Sequence, residues 1–195
     1  VDRRPLRWRA QQYARAFPQW PDSWPVVATG RWLQAVWVTG ACYRGSGYHG
    51  SYPRRYLARV RSMFPDRCRT LHLFSGSLRA EPATVRLDLQ PNPEAKADVR
   101  GDARALPFRP ASFDLVLADT PYTDKDARIY GVPKVPHRLA VLREVARVLE
   151  PGGFAVWLDT INPQYRKSEL LQCGLIAVVG STNHAVRLAS IYRHR

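Results

Sequence analysis

The chain has 195 residues, of which 45% are hydrophobic, enough for one globular domain with a substantial core. Its formal net charge is +14, and of 30 basic residues only Lys96, Lys125, Lys134 and Lys167 are lysines, so 26 are arginines. Such a surplus points to polyanions held through phosphate contacts and counterion release, although codon bias also enriches arginine. Cys42, Cys68 and Cys173 are widely spaced, which argues against a structural zinc site or a disulfide framework and fits a reducing, cytoplasmic setting.

The N-terminus is basic but continues into Trp8, Gln11, Gln12 and Tyr13, and the apolar stretch 26 to 41 is interrupted by Arg31, so neither a signal peptide nor a membrane span is expected. Residues 1 to 69 form a basic extension with five of the six tryptophans, expected to pack on the core. Trp8, Trp20, Trp24, Trp32 and Trp37 read mostly as packing residues, with base stacking as the other use. The run Gly45 to Pro53, with His49, is a glycine-rich loop feeding a basic helix over 54 to 63. There Tyr56, Leu57, Val60 and Met63 recur at helical spacing, and Arg54, Arg55, Arg59 and Arg61 are either phosphate contacts or a solvated face.

From residue 70 to 195 short apolar strands alternate with loops and helices: 70 to 74, 84 to 89, 113 to 118, 153 to 158, 174 to 180 and 186 to 192. Leu139, Leu142, Val145, Ala146 and Leu149 mark a helix that Pro151-Gly152-Gly153 stops. The alternation predicts an α/β fold, a doubly wound, mostly parallel sheet with helices on both faces, in which ligands collect at the carboxyl ends of the strands. His184 falls between the last two strands and reads as a hairpin residue. The segment Thr123 to His137 is long enough for a lid or substrate loop, an idle surface loop being the alternative.

Three strand ends carry the chemistry. Phe74-Ser75-Gly76-Ser77 is a small-residue loop whose amides can approach a ligand. Asp88 closes the next strand, where an acid can grip ribose hydroxyls, and Asp102-Ala103 leads toward the strand ending in Asp119-Thr120-Pro121-Tyr122. In that tetrad the Asp119 carboxylate and the Thr120 carbonyl are two acceptors for an aromatic amine, Pro121 stiffens the turn, and Tyr122 offers a stacking ring. An ordinary Asp-X-Pro turn after a strand is the plainer alternative.

Together these segments resemble Rossmann-like S-adenosylmethionine-dependent methyltransferases, over about residues 45 to 160. His72-Leu-Phe-Ser-Gly-Ser77 is similar to the D-x-F-x-G-x-G loop of amino-methylating DNA enzymes, and Asp119-Thr-Pro-Tyr122 to their catalytic D-P-P-Y. The resemblance implies S-adenosylmethionine as cofactor, contacted by Tyr52, Phe74, Ser75, Gly76 and Ser77, by Asp88 at the ribose and by Asp102 and Ala103 at the adenine, with no metal. It implies Asp119, Thr120, Pro121 and Tyr122 as catalytic residues and N6 of adenine as acceptor, with nucleic acid as partner, DNA ahead of RNA. The order of segments leaves no room for a recognition domain between loop and tetrad, so specificity falls to the N-terminal segment, a partner or a homodimer. His72, Leu78 and Thr120 depart from the family pattern. RNA amino-methylation, small-molecule methylation and a decayed nucleic-acid binder are the competing expectations.

Overall fold

Strands buried on both faces read as unbroken apolar runs. Such runs form the centre of this protein, for which a computed structural model describes residues 4–18, 25–39, 52–90, 96–180 and 186–195. Trp20, Trp24, residues 45 to 51 with His49, and His184 lie outside the described residues. The elements are α1 (Leu6–Ala16), β1 (Val27–Thr29), β2 (Trp32–Thr39), α2 (Tyr56–Met63), β3 (Thr70–Leu73), β4 (Thr84–Asp88) and β5 (Val99–Arg100). They continue with β6 (Phe113–Asp119), α3 (Asp124–Ile129), α4 (Arg138–Val148), β7 (Leu149–Asp159), β8 (Leu170–Gly180) and β9 (Val186–His194).

The strands form one nine-stranded sheet, ordered β1-β2-β8-β9-β7-β6-β3-β4-β5 among the described residues. β6, β3, β4 and β5 run parallel, as do β6 and β7, while β9 runs antiparallel between β7 and β8. Because side chains alternate along a strand, Leu115 and Leu117 of β6 face α1 and α2 together with Phe154, Val156 and Leu158 of β7. Val116, Ala118, Ala155 and Trp157 face α4 and its Val141, Leu142 and Val145 on the other side. The α/β architecture, mostly parallel with helices on both faces, is therefore the one that the alternation predicts.

Two local features differ from that expectation. The N-terminal segment is more than a cover: β2 pairs in parallel with β8 from Leu33 opposite Gly174 to Thr39 opposite Gly180, so it extends the same sheet. In addition, β3 reaches β4 through residues 74–83 without a helix, and α2 packs the face that a crossover helix would otherwise cover. Tyr56, Val60 and Met63 of α2 are buried there against Trp37 and Tyr13. No helix among the described residues is long and apolar enough to cross a membrane.

Candidate active site at the strand ends

The carboxyl ends of β3, β4 and β6 open onto one cavity of about 690 Å³. Its floor begins at the turn after β3. Phe74 has φ +57 and Gly76 φ +52, so the chain turns sharply at the strand end. Only glycine takes the left-handed region freely, and Phe74 is held there by edge-on packing against Trp157, with centroids 6.4 Å apart. Leu78, which stands where the family pattern has a glycine, is not among the positive-φ residues and so causes no strain of that kind. Its carbonyl accepts from Arg86 Nη1 at 2.6 Å, and Arg86 is clamped to Asp98 through Nε and Nη2 at 3.0 and 2.8 Å.

Asp88 locks this loop. Its Oδ2 accepts from the Gly76 amide at 2.9 Å and its Oδ1 from the Gln90 amide at 3.2 Å. A carboxylate has about four acceptor positions, so lone pairs are left for vicinal hydroxyls in the cavity. Gly101, Asp102 and Ala103 line the same cavity beside Leu87 and Leu89. The Asp102 carboxylate is bonded to the Arg104 guanidinium, which holds its pKa below the usual carboxylate value. Tyr52 lines the cavity, stacks on Tyr56 with ring centroids 5.6 Å apart, and places its hydroxyl 3.4 Å from His72 Nδ1. Burial drives the His72 pKa down to about 3, so the residue that replaces the family acid is a neutral imidazole inside the sheet.

The Asp119-Thr120-Pro121-Tyr122 turn sits at the end of β6. The Tyr122 hydroxyl donates to Asp119 Oδ1 at 2.5 Å, and the Arg187 guanidinium lies 5.3 Å from the Tyr122 ring centroid. A planar group stacking on that face of Tyr122 must share or displace the guanidinium. Burial raises the Asp119 pKa to about 7, against the lowering effects of the Tyr122 hydrogen bond and Arg187; the charge of Asp159 adds to the rise. Thr120 donates its hydroxyl to Asp159 Oδ2 at 3.1 Å. The segment from 123 to 137 walls the cavity through Ile129, Tyr130, Val132 and the stretch 133 to 136. Its short helix α3 is fixed by a reciprocal cap between Thr123 and Asp126.

Of the predicted site residues, Tyr52, Phe74, Ser75, Gly76, Asp88, Asp102, Ala103 and Asp119 to Tyr122 all line this cavity. Ser77 does not line it, because the turn at Gly76 carries the chain away from the opening. Arg59 requires a second correction: it is 1% exposed, its Nη2 donates to the Val38 carbonyl at 3.2 Å, and its guanidinium lies 5.5 Å from the Trp37 ring centroid. Positions 56, 59, 60 and 63 share one helix face, so Arg59 points inward and cannot reach a phosphate. Arg54 and Arg55 are exposed at the start of α2. Arg138, Asp159 and Arg187 were not singled out from the sequence, although Asp159 closes β7 as Asp119 closes β6 and could have been found by the same strand-end argument. Among the described residues no cluster of three or more His, Cys, Asp or Glu could hold a metal ion.

Residues 77–157 match the family model described as a methyltransferase domain. A demethylmenaquinone methyltransferase of Lactococcus lactis is 40% identical over 73 residues, covering 36% of this chain and 25% of the relative. One of the same name from Staphylococcus aureus is 42% identical over 65 residues, covering 33% of this chain and 23% of that one. The chain thus spans about a quarter of the length of these curated relatives. The crystal structure of TrmN from Thermus thermophilus superposes with a TM-score of 0.47 and 18% identity, covering 66% of this chain and 44% of that one. Over residues 77–157 the chain is thus similar to methyltransferase domains.

Proposed function

We propose that this protein methylates an exocyclic amine of a nucleic-acid base, with adenine N6 in DNA as the first candidate acceptor. The observation that carries the reading is the single cavity that joins the Gly76 and Asp88 cradle to the Asp119 to Tyr122 turn. Ser75, Gly76 and Asp88, with Asp102 and Ala103, would hold S-adenosylmethionine, and Tyr52 would cover one end of it. When bound, that group supplies the methyl carbon. The chain's own part is to position the acceptor: ionised Asp119 accepts one amine N–H, the Thr120 carbonyl a second, and Tyr122 supports the ring. A base in a duplex cannot enter such a cavity, so the substrate is extruded or single-stranded. Lys134 and Arg187 on the cavity wall and the net charge of +14 favour a polyanionic substrate.

A second reading has specific support. Leu89, Ile129, Val132, Pro133, Val135 and Pro136 give the cavity an apolar wall, and the curated relatives are named for a quinone precursor, so a small planar acceptor also fits. The deciding experiment is transfer of labelled methyl from S-adenosylmethionine to unmethylated DNA, total RNA, a naphthoquinol and no acceptor, followed by mass analysis of the products. N-methyladenine in DNA, formed at a rate that falls with added salt, is the expected result; label confined to RNA moves the acceptor, and label confined to the quinol overturns the nucleic-acid reading.

The cofactor half of the site has its own test. Asp88→Ala removes the acceptor for vicinal hydroxyls and also frees the Gly76 amide. Hydrogen bonds to a charged group contribute about 1.5–3 kcal/mol, so S-adenosylmethionine affinity is expected to fall by about 10- to 100-fold by calorimetry, with the fold retained.

A further inference from the structure

We propose that the Arg138–Asp159 pair is the positioning device of the acceptor turn, an inference that rests on the acceptor reading given above. Asp159 is fully buried at the end of β7. Its carboxylate accepts from Arg138 Nε at 2.6 Å and Nη2 at 3.1 Å, from Trp157 Nε1 at 3.1 Å, from the Thr160 amide at 2.7 Å and from the Thr120 hydroxyl at 3.1 Å. The same Arg138 Nη2 donates to the Tyr122 carbonyl at 3.1 Å. One ion pair, its carboxylate fully buried, therefore grips the turn on both sides of Pro121, through a side chain at 120 and through the backbone at 122.

The grip accounts for the departure from a prolyl-prolyl turn. A second proline would fix φ at position 120 by its ring; threonine instead fixes the residue by a hydroxyl anchored to Asp159. Thr120 lines the cavity with its hydroxyl turned toward Asp159. Burying a carboxylate is expensive unless its lone pairs are used, and the donors gathered on Asp159 meet that condition. The pair also acts electrostatically, because Asp159 disfavours ionisation of Asp119. Among the described residues the other charged or titratable groups that face Asp119 are Tyr122 on its own turn, Arg187 of β9, Tyr52 ahead of α2 and Tyr56 within it.

Three variants of the whole chain test the proposal: Thr120→Val, which is nearly isosteric, Asp159→Asn and Arg138→Lys. Misplacing reacting groups by about 1 Å costs up to about 100-fold in rate, so kcat is expected to fall by about 10- to 100-fold while the S-adenosylmethionine Kd stays within about twofold. Thr120→Ser is expected to recover most of the loss seen in Thr120→Val. The carbon-13 titration of the Asp119 carboxyl group, assigned by comparison with Asp119→Asn, is expected to move to lower pH in Asp159→Asn. Folded Thr120→Val with full kcat, or an unmoved Asp119 titration in folded Asp159→Asn, overturns the proposal. Should the wild-type chain bind the cofactor yet methylate none of the acceptors, the functional reading fails, and the titration alone then decides whether Asp159 acts on Asp119.

Discussion

Asp119→Asn is expected to lower kcat for methyl transfer by about 10²- to 10³-fold while leaving S-adenosylmethionine affinity within about threefold. The magnitude is that of removing one preorganised electrostatic partner of the reacting group. The asymmetry between the two constants follows from position: Asp119 ends β6 and meets Tyr122, whereas the loop that would hold the cofactor is tied to Asp88 on β4. Asparagine keeps the size but replaces a charged acceptor by an amide that both accepts and donates, so the amine loses the partner that stabilises its developing positive charge.

The pH dependence has a definite sign. With its pKa raised to about 7, Asp119 can serve as the proposed acceptor only when ionised, so the wild-type rate should rise with pH through about 7 and be lost below it. Stability runs the other way. Because the folded pKa lies above the ordinary 3.8, the native state binds more protons than the unfolded chain between those values, and stability falls as pH rises through that window. Asp119→Asn should therefore raise the Tm at pH 8 by about 3–6 °C, equivalent to about 1–2 kcal/mol after allowing for water in the cavity. A variant of unchanged rate would remove Asp119 from the reaction.

How much of this was legible in the sequence depended on whether the information was local. The strand ends at Leu73, Asp88 and Asp119 announce themselves by an apolar run stopping at a small or acidic residue, and these are the positions that the sheet brings together. The Arg138–Asp159 pair was not legible, because its two members belong to α4 and to the end of β7 and meet only when the sheet closes. Arg59 misled for a different reason. Its neighbours at 56, 60 and 63 gave the helix face correctly, but an arginine on that face was assigned to solvent by residue type instead of position. The β2 strand escaped notice because its pairing partner, β8, lies more than 130 residues further along the chain.

Arg9 extends the lesson about arginine and gives the largest expected effect on stability. Arg9→Met should lower stability by about 3 kcal/mol, a fall in Tm of about 6–12 °C by calorimetry. The guanidinium is fully buried between α1 and the chain after α2, donating to the Met63 carbonyl at 3.1 Å and to both oxygens of Asp66 at 2.9 and 3.3 Å. It also lies 4.3 Å from the Phe154 ring centroid and 4.7 Å from that of Phe64, so this side chain links α1 to β7. Methionine preserves much of the packing volume but leaves the Met63 carbonyl without that donor. The cost stays near 3 kcal/mol, at the low end of the range for breaking a buried pair, because Arg4 and Arg67 also approach Asp66, at 3.2 and 3.4 Å. Arg9, Arg59, Arg86, Arg138 and Arg147 all have guanidinium bonds directed into the fold. The salt dependence of nucleic-acid binding should consequently be shallower than a net charge of +14 suggests, and Arg9→Met should leave that slope unchanged while lowering the Tm. A slope that flattens in Arg9→Met would show that α1 itself contributes to the polyanion surface; an unchanged Tm would show that apolar contacts alone dock it.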